Sequence, residues 1–450
     1  MKQKSITVIL TIVAILAPIL IIPDKDNNNY NILKYIVLLI SGFVLLILLL
    51  ANYKTLTLDR KDFLILIFMG LIIISTFLSS NIKISIFGEE NRYEGMLMFA
   101  TYTIIYLCSK RYFKYEKISN FLNIIFIVAM LIGILGIVQK YVNNIELYPI
   151  FGKEICATFG NSNFFGSLIS IVLPISTAIF IFNGSKRGFV LSLVMFFNMM
   201  SSGTRSAWVA FIVVGVLGLA YIIKEKNKKY ILRVFILSVF FIIILIYLLN
   251  GFTFAINRFK NHNELSQEEN ISTIPNEPIK TTTEIKMETM KSELKEAKET
   301  GDFYKIGSGR VEIWKMTLKL MSKQPILGCG PDNILNGLVK NCTEETLVFT
   351  ERTQTRVDKA HNEYLQIGAT IGIPALICYL IFIGCIIFPK IKLALNNKIY
   401  FILCLAIISY LIQAFFNIST IGVAPLFWMM LGLIDNMEFI DSLDNLGSND

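Results

Sequence analysis

The sequence predicts an all-α polytopic membrane protein of about twelve transmembrane helices, with one large extracytoplasmic loop between the ninth and the tenth. Three observations carry this. Of the 450 residues, 54% are hydrophobic and only 17% are charged, whereas a soluble domain carries about 25% charged residues. The mean hydropathy is +0.61. The apolar residues are gathered into runs that approach the roughly 20 residues needed to cross a hydrocarbon core. Together these exclude a soluble chain of two or three domains, a disordered chain, a secreted disulfide scaffold and a fibrous protein.

The runs fall at Ile6–Ile22, Tyr35–Ala51, Phe63–Ser79, Gly95–Cys108, Phe121–Val138, Phe164–Phe182, Phe189–Ser202, Ser206–Ile223, Ile231–Leu249, Tyr364–Phe388, Tyr400–Phe416 and Ala424–Ile440. The first follows Lys2 and Lys4 like a signal peptide. It lacks a small-x-small cleavage site and many spans follow it, so it is expected to stay as a helix. Residues 1–250 then hold nine spans, 251–361 form the outer loop, 362–440 hold the last three spans, and 441–450 are a tail.

Lys and Arg in the short loops set the orientation. With the N-terminus inside, nineteen basic residues fall on inner segments and seven in short outer loops. The seven are Lys25, Lys34, Lys83, Arg92, Lys140, Lys153 and Arg205. Both termini are then cytoplasmic. The formal charge of +9, which in a soluble protein would suggest nucleic acid, becomes an orientation signal, and no nucleic-acid partner is expected. The large loop is neutral, with sixteen residues of each sign. Its 262–283 stretch is polar and without periodicity, which predicts a flexible linker. Residues 284–323 predict amphipathic helices. In the second of these, Arg310–Lys323, the residues Val311, Trp314, Leu318 and Met321 fall on one expected apolar face.

Seven cysteines and two histidines form no metal-ligand spacing, so no metal and no cofactor is expected. A Cys329–Cys342 bridge is open. Asp24-Lys25-Asp26 has the Asp-x-Asp form of metal-dependent glycosyltransferases, a pattern that a polar loop of Asp and Asn also produces easily.

A few residues carry chemistry. Arg205, in Ser-Gly-Thr-Arg-Ser-Ala-Trp, sits between two apolar runs on the face opposite the basic loops. A charge near bilayer depth marks function, or else snorkels to headgroups. Arg310 follows Gly309, a plausible N-cap with Glu312 at the third helical position. There a guanidinium beside free amides suits an anion such as phosphate; the alternative is a surface pair with Glu312. His361, in His-Asn-Glu-Tyr-Leu-Gln, lies where the outer loop re-enters the membrane. It is either a base for a hydroxyl or part of a helix cap with Asn362. Arg92 and Glu94 precede the fourth span, and Asn163 opens the sixth within Gly-Asn-Ser-Asn-Phe.

These motifs together resemble the O-antigen ligase/polymerase superfamily. The resemblance rests on Ser308-Gly-Arg-x-x-x-Trp, Pro325-Ile-Leu-Gly-Cys-Gly-Pro331, His361-Asn-x-Tyr-Leu-Gln and Gly372-Ile-Pro374. Gly-Thr-Arg at Arg205 and Gly-Asn-x-Asn-Phe at Asn161 add to it, so it spans about Asn91 to Trp428. The 262–283 linker has no counterpart in it, and Cys329 replaces a more usual small or aliphatic residue.

The resemblance implies a membrane glycosyltransferase using a polyprenyl-diphosphate-linked glycan donor and a glycan, lipid or protein acceptor. It implies that Arg205 and Arg310 hold the diphosphate and that His361 is the catalytic base. Arg92, Glu94, Asn163, Glu312 and Asn362 would support them. Transfer would be inverting and metal-independent, with membrane lipids as surroundings. Ligases, polymerases and protein O-oligosaccharyltransferases share these motifs, and the sequence does not separate them. A transporter or flippase of lipid-linked sugars would instead need charges along a path through the spans, and few are there.

Overall fold

The structure, a computed structural model, describes residues 2–21, 31–53, 57–113, 118–142, 155–265, 309–353 and 355–436. These form seventeen α-helices, with no β-strand among the described residues. In chain order they are α1 (Lys2–Ile19), α2 (Ile32–Leu50), α3 (Arg60–Phe77), α4 (Ile82–Phe87), α5 (Met96–Tyr112), α6 (Ile118–Tyr141), α7 (Ser162–Asn183), α8 (Lys186–Ser201) and α9 (Arg205–Glu225). There follow α10 (Lys228–Leu265), α11 (Arg310–Lys323), α12 (Ile334–Asn341), α13 (Thr343–Thr353), α14 (Glu363–Thr370), α15 (Ile373–Ala394), α16 (Lys398–Phe415) and α17 (Ala424–Asp435).

Among the described residues, each of the twelve apolar runs is largely helical. Seven of the helices, α2, α6, α7, α9, α10, α15 and α16, are long and apolar enough to cross a membrane by length and composition. The others are shorter or more charged. The protein is thus an all-α membrane protein. Its outward faces confirm the solvent they expect. On α2, Ile36, Ile40, Phe43, Ile47 and Leu50 form an exposed stripe at helical spacing, while Leu38, Leu45 and Leu49 on the other side are buried. An apolar surface of that kind is stable only against lipid. α7 is buried along nearly its whole length and is the centre of the bundle. It packs against α8, α9 and α16. α10 is exposed along nearly all of its spanning length.

Three expectations are corrected. The tenth run is not one helix: α14 ends at Thr370 and α15 begins at Ile373. Gly372 has φ +108°, and a Cβ there would lie 2.0 Å from the Ile326 carbonyl. Pro374 follows in the first turn of α15, where its missing N–H costs nothing. The break is filled by the Gly328–Gly330 turn, whose Cys329 and Gly330 N–H groups donate to the carbonyls of Ala369 (3.1 Å) and Thr370 (2.8 Å). Carbonyls freed by a helix end inside a bundle need such partners. Second, α11 is amphipathic but rotated. Its buried face is Ile313, Met316, Thr317, Leu320 and Met321, and Leu318 is exposed, because α11 packs on α14 and α12. Third, Lys34 does not belong to a loop. It lies buried in the first turn of α2, its ammonium donating to the Thr158 carbonyl at 2.8 Å and resting over the Phe159 ring.

Asp24, Asp26 and the first of the amphipathic helices expected within 284–323 lie outside the described residues, as does the expected linker beyond Leu265; its first residues end α10. Cys329 and Cys342 are both buried free thiols. The outer loop has its own small core of Ile313, Met316, Leu320, Ile334, Leu338 and Phe349, distinct from the bundle core.

Opposite the site described below, α3, α5 and α17 are tied by ions. Asp59 caps α3, its carboxylate accepting from the Lys61 and Asp62 N–H groups. Lys110 reaches Asp59 (2.6 Å), Asp62 (3.1 Å) and Asp435 (2.9 Å). Arg111 pairs with Asp62, and Lys61 with Asp435. The Tyr106 hydroxyl donates to Asp435 at 2.8 Å. Asp435 is fully buried; removing it leaves Lys61 only a long contact to Asp59 (3.9 Å) and takes one of three carboxylates from Lys110, and breaking a buried pair typically costs about 3–5 kcal/mol. Asp435→Ala should lower the thermal unfolding midpoint of detergent-purified protein strongly. An unchanged midpoint would refute the role given to this network.

Candidate active site

The loops expected on the outer face meet at one end of the bundle, and buried backbone hydrogen bonds explain how. Asp332 is buried in the Gly-Pro-Asp turn, with φ +57°. Its carboxylate accepts the N–H groups of Glu89 (2.7 Å) and Glu94 (3.1 Å) and pairs with the ammonium of buried Lys359. Asp358, one residue earlier, takes Arg92 at 2.6 and 2.8 Å. Arg92 also lies over the Phe164 ring, 5.2 Å from its centroid. Ala360 donates its N–H to the Gln366 side chain at 2.8 Å. Asn362 caps α14, its side chain accepting from the Leu365 N–H. Four neighbours of His361 are thus fixed one by one, each by a different partner.

His361 itself has φ +49°, in the left-handed region, and no hydrogen-bond partner for its imidazole among the described residues. Six non-glycine residues among those described have such a φ, and four of them, Asn91, Tyr93, Asp332 and His361, belong to this one assembly. A left-handed backbone at a bulky residue is strained and persists where its surroundings over-determine it, commonly at functional sites.

The two arginines come to the same place. Arg310 is the first residue of α11, after Gly309 at φ +72°. Arg205 opens α9, whose preceding Thr204 donates its hydroxyl to the Ser162 carbonyl at 2.9 Å and packs into the space left by Gly166. Trp208 donates to the Met199 carbonyl at 3.0 Å, which fixes the turn. Burial and, after it, the charge of Arg205 lower the Arg310 pKa. Arg310 has no carboxylate and no hydrogen-bond acceptor among the described residues. The surface pair with Glu312 is not formed, because Glu312 pairs with Arg352 of α13. Burial, then the Arg310 charge, push the imidazole of His361 down to about 4, with Asp358 opposing. His361 is therefore neutral near pH 7.

Below this layer, Glu94, Asp332, Lys359, Glu363, Gln366 and Ser419 border a cavity of about 30 Å³, room for a water or two. The Tyr102 hydroxyl donates to Glu94 at 2.7 Å. Tyr379 and Tyr410 donate to Glu363 at 2.8 and 3.2 Å. Burial raises the Glu94 carboxyl and, with Glu94 adding repulsion, lifts Glu363 to about 7 despite its tyrosine donors. Asn163 contributes its carbonyl, which accepts from Asn417 at 2.9 Å.

Of the residues expected from sequence, Arg92, Arg205, Arg310, Asn362 and His361 converge. Glu94 lies a layer deeper, and Glu312 serves the loop. Asp332, Asp358, Lys359, Glu363 and Gln366 were not anticipated. Asp358 and Lys359 shortly precede His361, and Glu363 and Gln366 lie within its motif; that adjacency is the signal that could have found them, and Asp332 had none. No group of three or more His, Cys, Asp or Glu side chains among the described residues could hold a metal ion.

The described residues thus gather arginines and a strained histidine at one end of an all-helical bundle. Residues 190–380, from α8 into α15, match the family model described as O-antigen ligase. Over those residues the chain is similar to the O-antigen ligase family. No match was found among curated proteins.

Only two histidines occur in the chain, so a His262→Gln background isolates His361. Diethyl pyrocarbonate reacts with neutral imidazole. Its rate at His361 should stay flat on acidification and fall only toward about pH 4, whereas an ordinary histidine protonates near pH 6.5. A midpoint near 6.5 would refute the cationic surroundings described.

Proposed function

We propose that this protein is an O-antigen ligase-like glycosyltransferase. It moves a glycan from a polyprenyl-diphosphate carrier to an acceptor hydroxyl at the outer face of the bacterial cytoplasmic membrane, with both termini cytoplasmic. The observation that carries the reading is the convergence of half-buried Arg310, which has no carboxylate partner among the described residues, with Arg205 and neutral His361. A cation partly withdrawn from water favours an anionic partner, and a diphosphate would supply one.

In this reading Arg205 and Arg310 clamp the diphosphate, with the amides of the first turn of α11 beside it. They stabilise the charge that grows on the departing diphosphate. His361 takes the proton of the acceptor hydroxyl as that oxygen attacks the anomeric carbon from the side opposite the leaving group, which inverts the centre. The bound anion also offsets the positive field that holds His361 low, so the base strengthens once the donor is in place. The polyprenyl tail runs down α9 from Arg205. Phe211, Gly215, Gly218, Leu219 and Ile222 line an apolar cavity of about 240 Å³ against α7, α10 and α16. A Cβ on Gly215 or Gly218 would meet nothing within 4 Å.

His361→Ala and Arg310→Ala should each lower transfer by about 10²-fold or more while leaving membrane insertion intact. Arg310→Lys should rescue poorly, since an ammonium cannot form the planar two-point contact. Normal transfer by both alanine variants would defeat the mechanism. In the same assay, a ladder of products identifies a polymerase and a single discrete shift of the acceptor a ligase. EDTA should leave the rate unchanged; inhibition reversed by a divalent ion would transfer the role to Asp24 and Asp26.

A further inference from the structure

Gln366 lies in α14, a little over one helical turn beyond His361, and its side chain reaches back to the segment that carries the histidine. Its amide oxygen accepts the Ala360 N–H at 2.8 Å. Its own N–H is held by the Asn362 carbonyl at 2.9 Å. Its amide nitrogen is buried, with no acceptor among the protein groups described, and the side chain borders the small cavity shared with Glu94, Lys359 and Glu363. The oxygen and nitrogen are assigned by this network, because the Ala360 N–H needs an acceptor.

His361 is the single link between two fixed points. On one side, Gln366 locks the peptide that enters Ala360. On the other, the Asn362 side chain closes the first turn of α14 on the Leu365 N–H at 2.9 Å. Between them the backbone is driven into the left-handed region, which a free chain would leave. We propose that Gln366 is a positioning residue for His361: its contact with the Ala360 N–H holds the imidazole at the level of Arg310. This rests on His361 acting as the base. A misplacement of about 1 Å in a reacting group can cost about 10²-fold in rate, so the contact acts on kcat and not on donor binding.

The test uses the full chain in membranes, with polyprenyl-diphosphate glycan as donor. Gln366→Leu should lower kcat by about 10- to 100-fold with an unchanged KM for the donor. In the His262→Gln background it should also speed carbethoxylation of His361, as the imidazole leaves its half-buried seat. Gln366→Glu keeps an acceptor for the Ala360 N–H and should restore most of kcat. The proposal is overturned if Gln366→Leu turns over like the parent, or if Gln366→Glu loses as much as Gln366→Leu. Should Gln366→Leu fail to insert, Gln366→Glu decides alone, and a loss beyond about tenfold sinks the idea. His361→Ala, run alongside, keeps the two readings apart. Full transfer by His361→Ala removes the base itself. An inactive His361→Ala beside an unaffected Gln366→Leu removes only the positioning role.

Discussion

The site end of the molecule depends on one buried carboxylate. Asp332 accepts two backbone N–H groups from the 89–94 loop and pairs with Lys359, so three segments distant in sequence meet at a single side chain. Each contact needs the others. A buried carboxylate without donors would be expensive, and so would a buried lysine without its anion. The turn that presents Asp332 is itself wedged into the gap between α14 and α15. The helix break, the turn and the histidine segment are therefore one construction.

The two ends of the bundle treat charge differently. At the end formed by α3, α5 and α17, Lys61, Lys110 and Arg111 are matched by Asp59, Asp62 and Asp435, as stable burial requires. At the other end Arg92 and Lys359 are matched by Asp358 and Asp332, while Arg310 has no carboxylate among the described residues. That contrast is what supports the proposed recognition role of Arg310, more than its position in the sequence does.

Most of the architecture was legible in the sequence because lipid imposes a long apolar period that few other environments require. The runs that became α2, α7 and α16 needed no tertiary information. What could not be read was decided by contacts between distant segments. The division between α14 and α15 looked like a continuous apolar run, since the turn at Gly328–Gly330 that fills the gap lies some forty residues earlier. The buried face of α11 was misjudged because α14 and α12, not lipid, chose it. Among candidate site residues, Arg205 stood out as a charge between apolar runs, Arg310 by its helix start and His361 by its motif. Asp332 did not, and Gln366 appeared only as a motif position, because a buried carboxylate in a turn and an amide in a helix acquire their roles only from the backbone groups that fold against them.

The network at α17 has a consequence for biosynthesis. Asp435 closes ion pairs with Lys61 and Lys110, residues that leave the ribosome more than three hundred positions before it. Contacts of such separation are paid for in chain entropy before they reward it. Until α17 arrives, Lys61 has only its long contact to Asp59 and Lys110 only Asp59 and Asp62. The earlier helices can insert one after another, and this joint closes after them. The order of synthesis thus makes α17 the element that completes the ion network of α3 and α5.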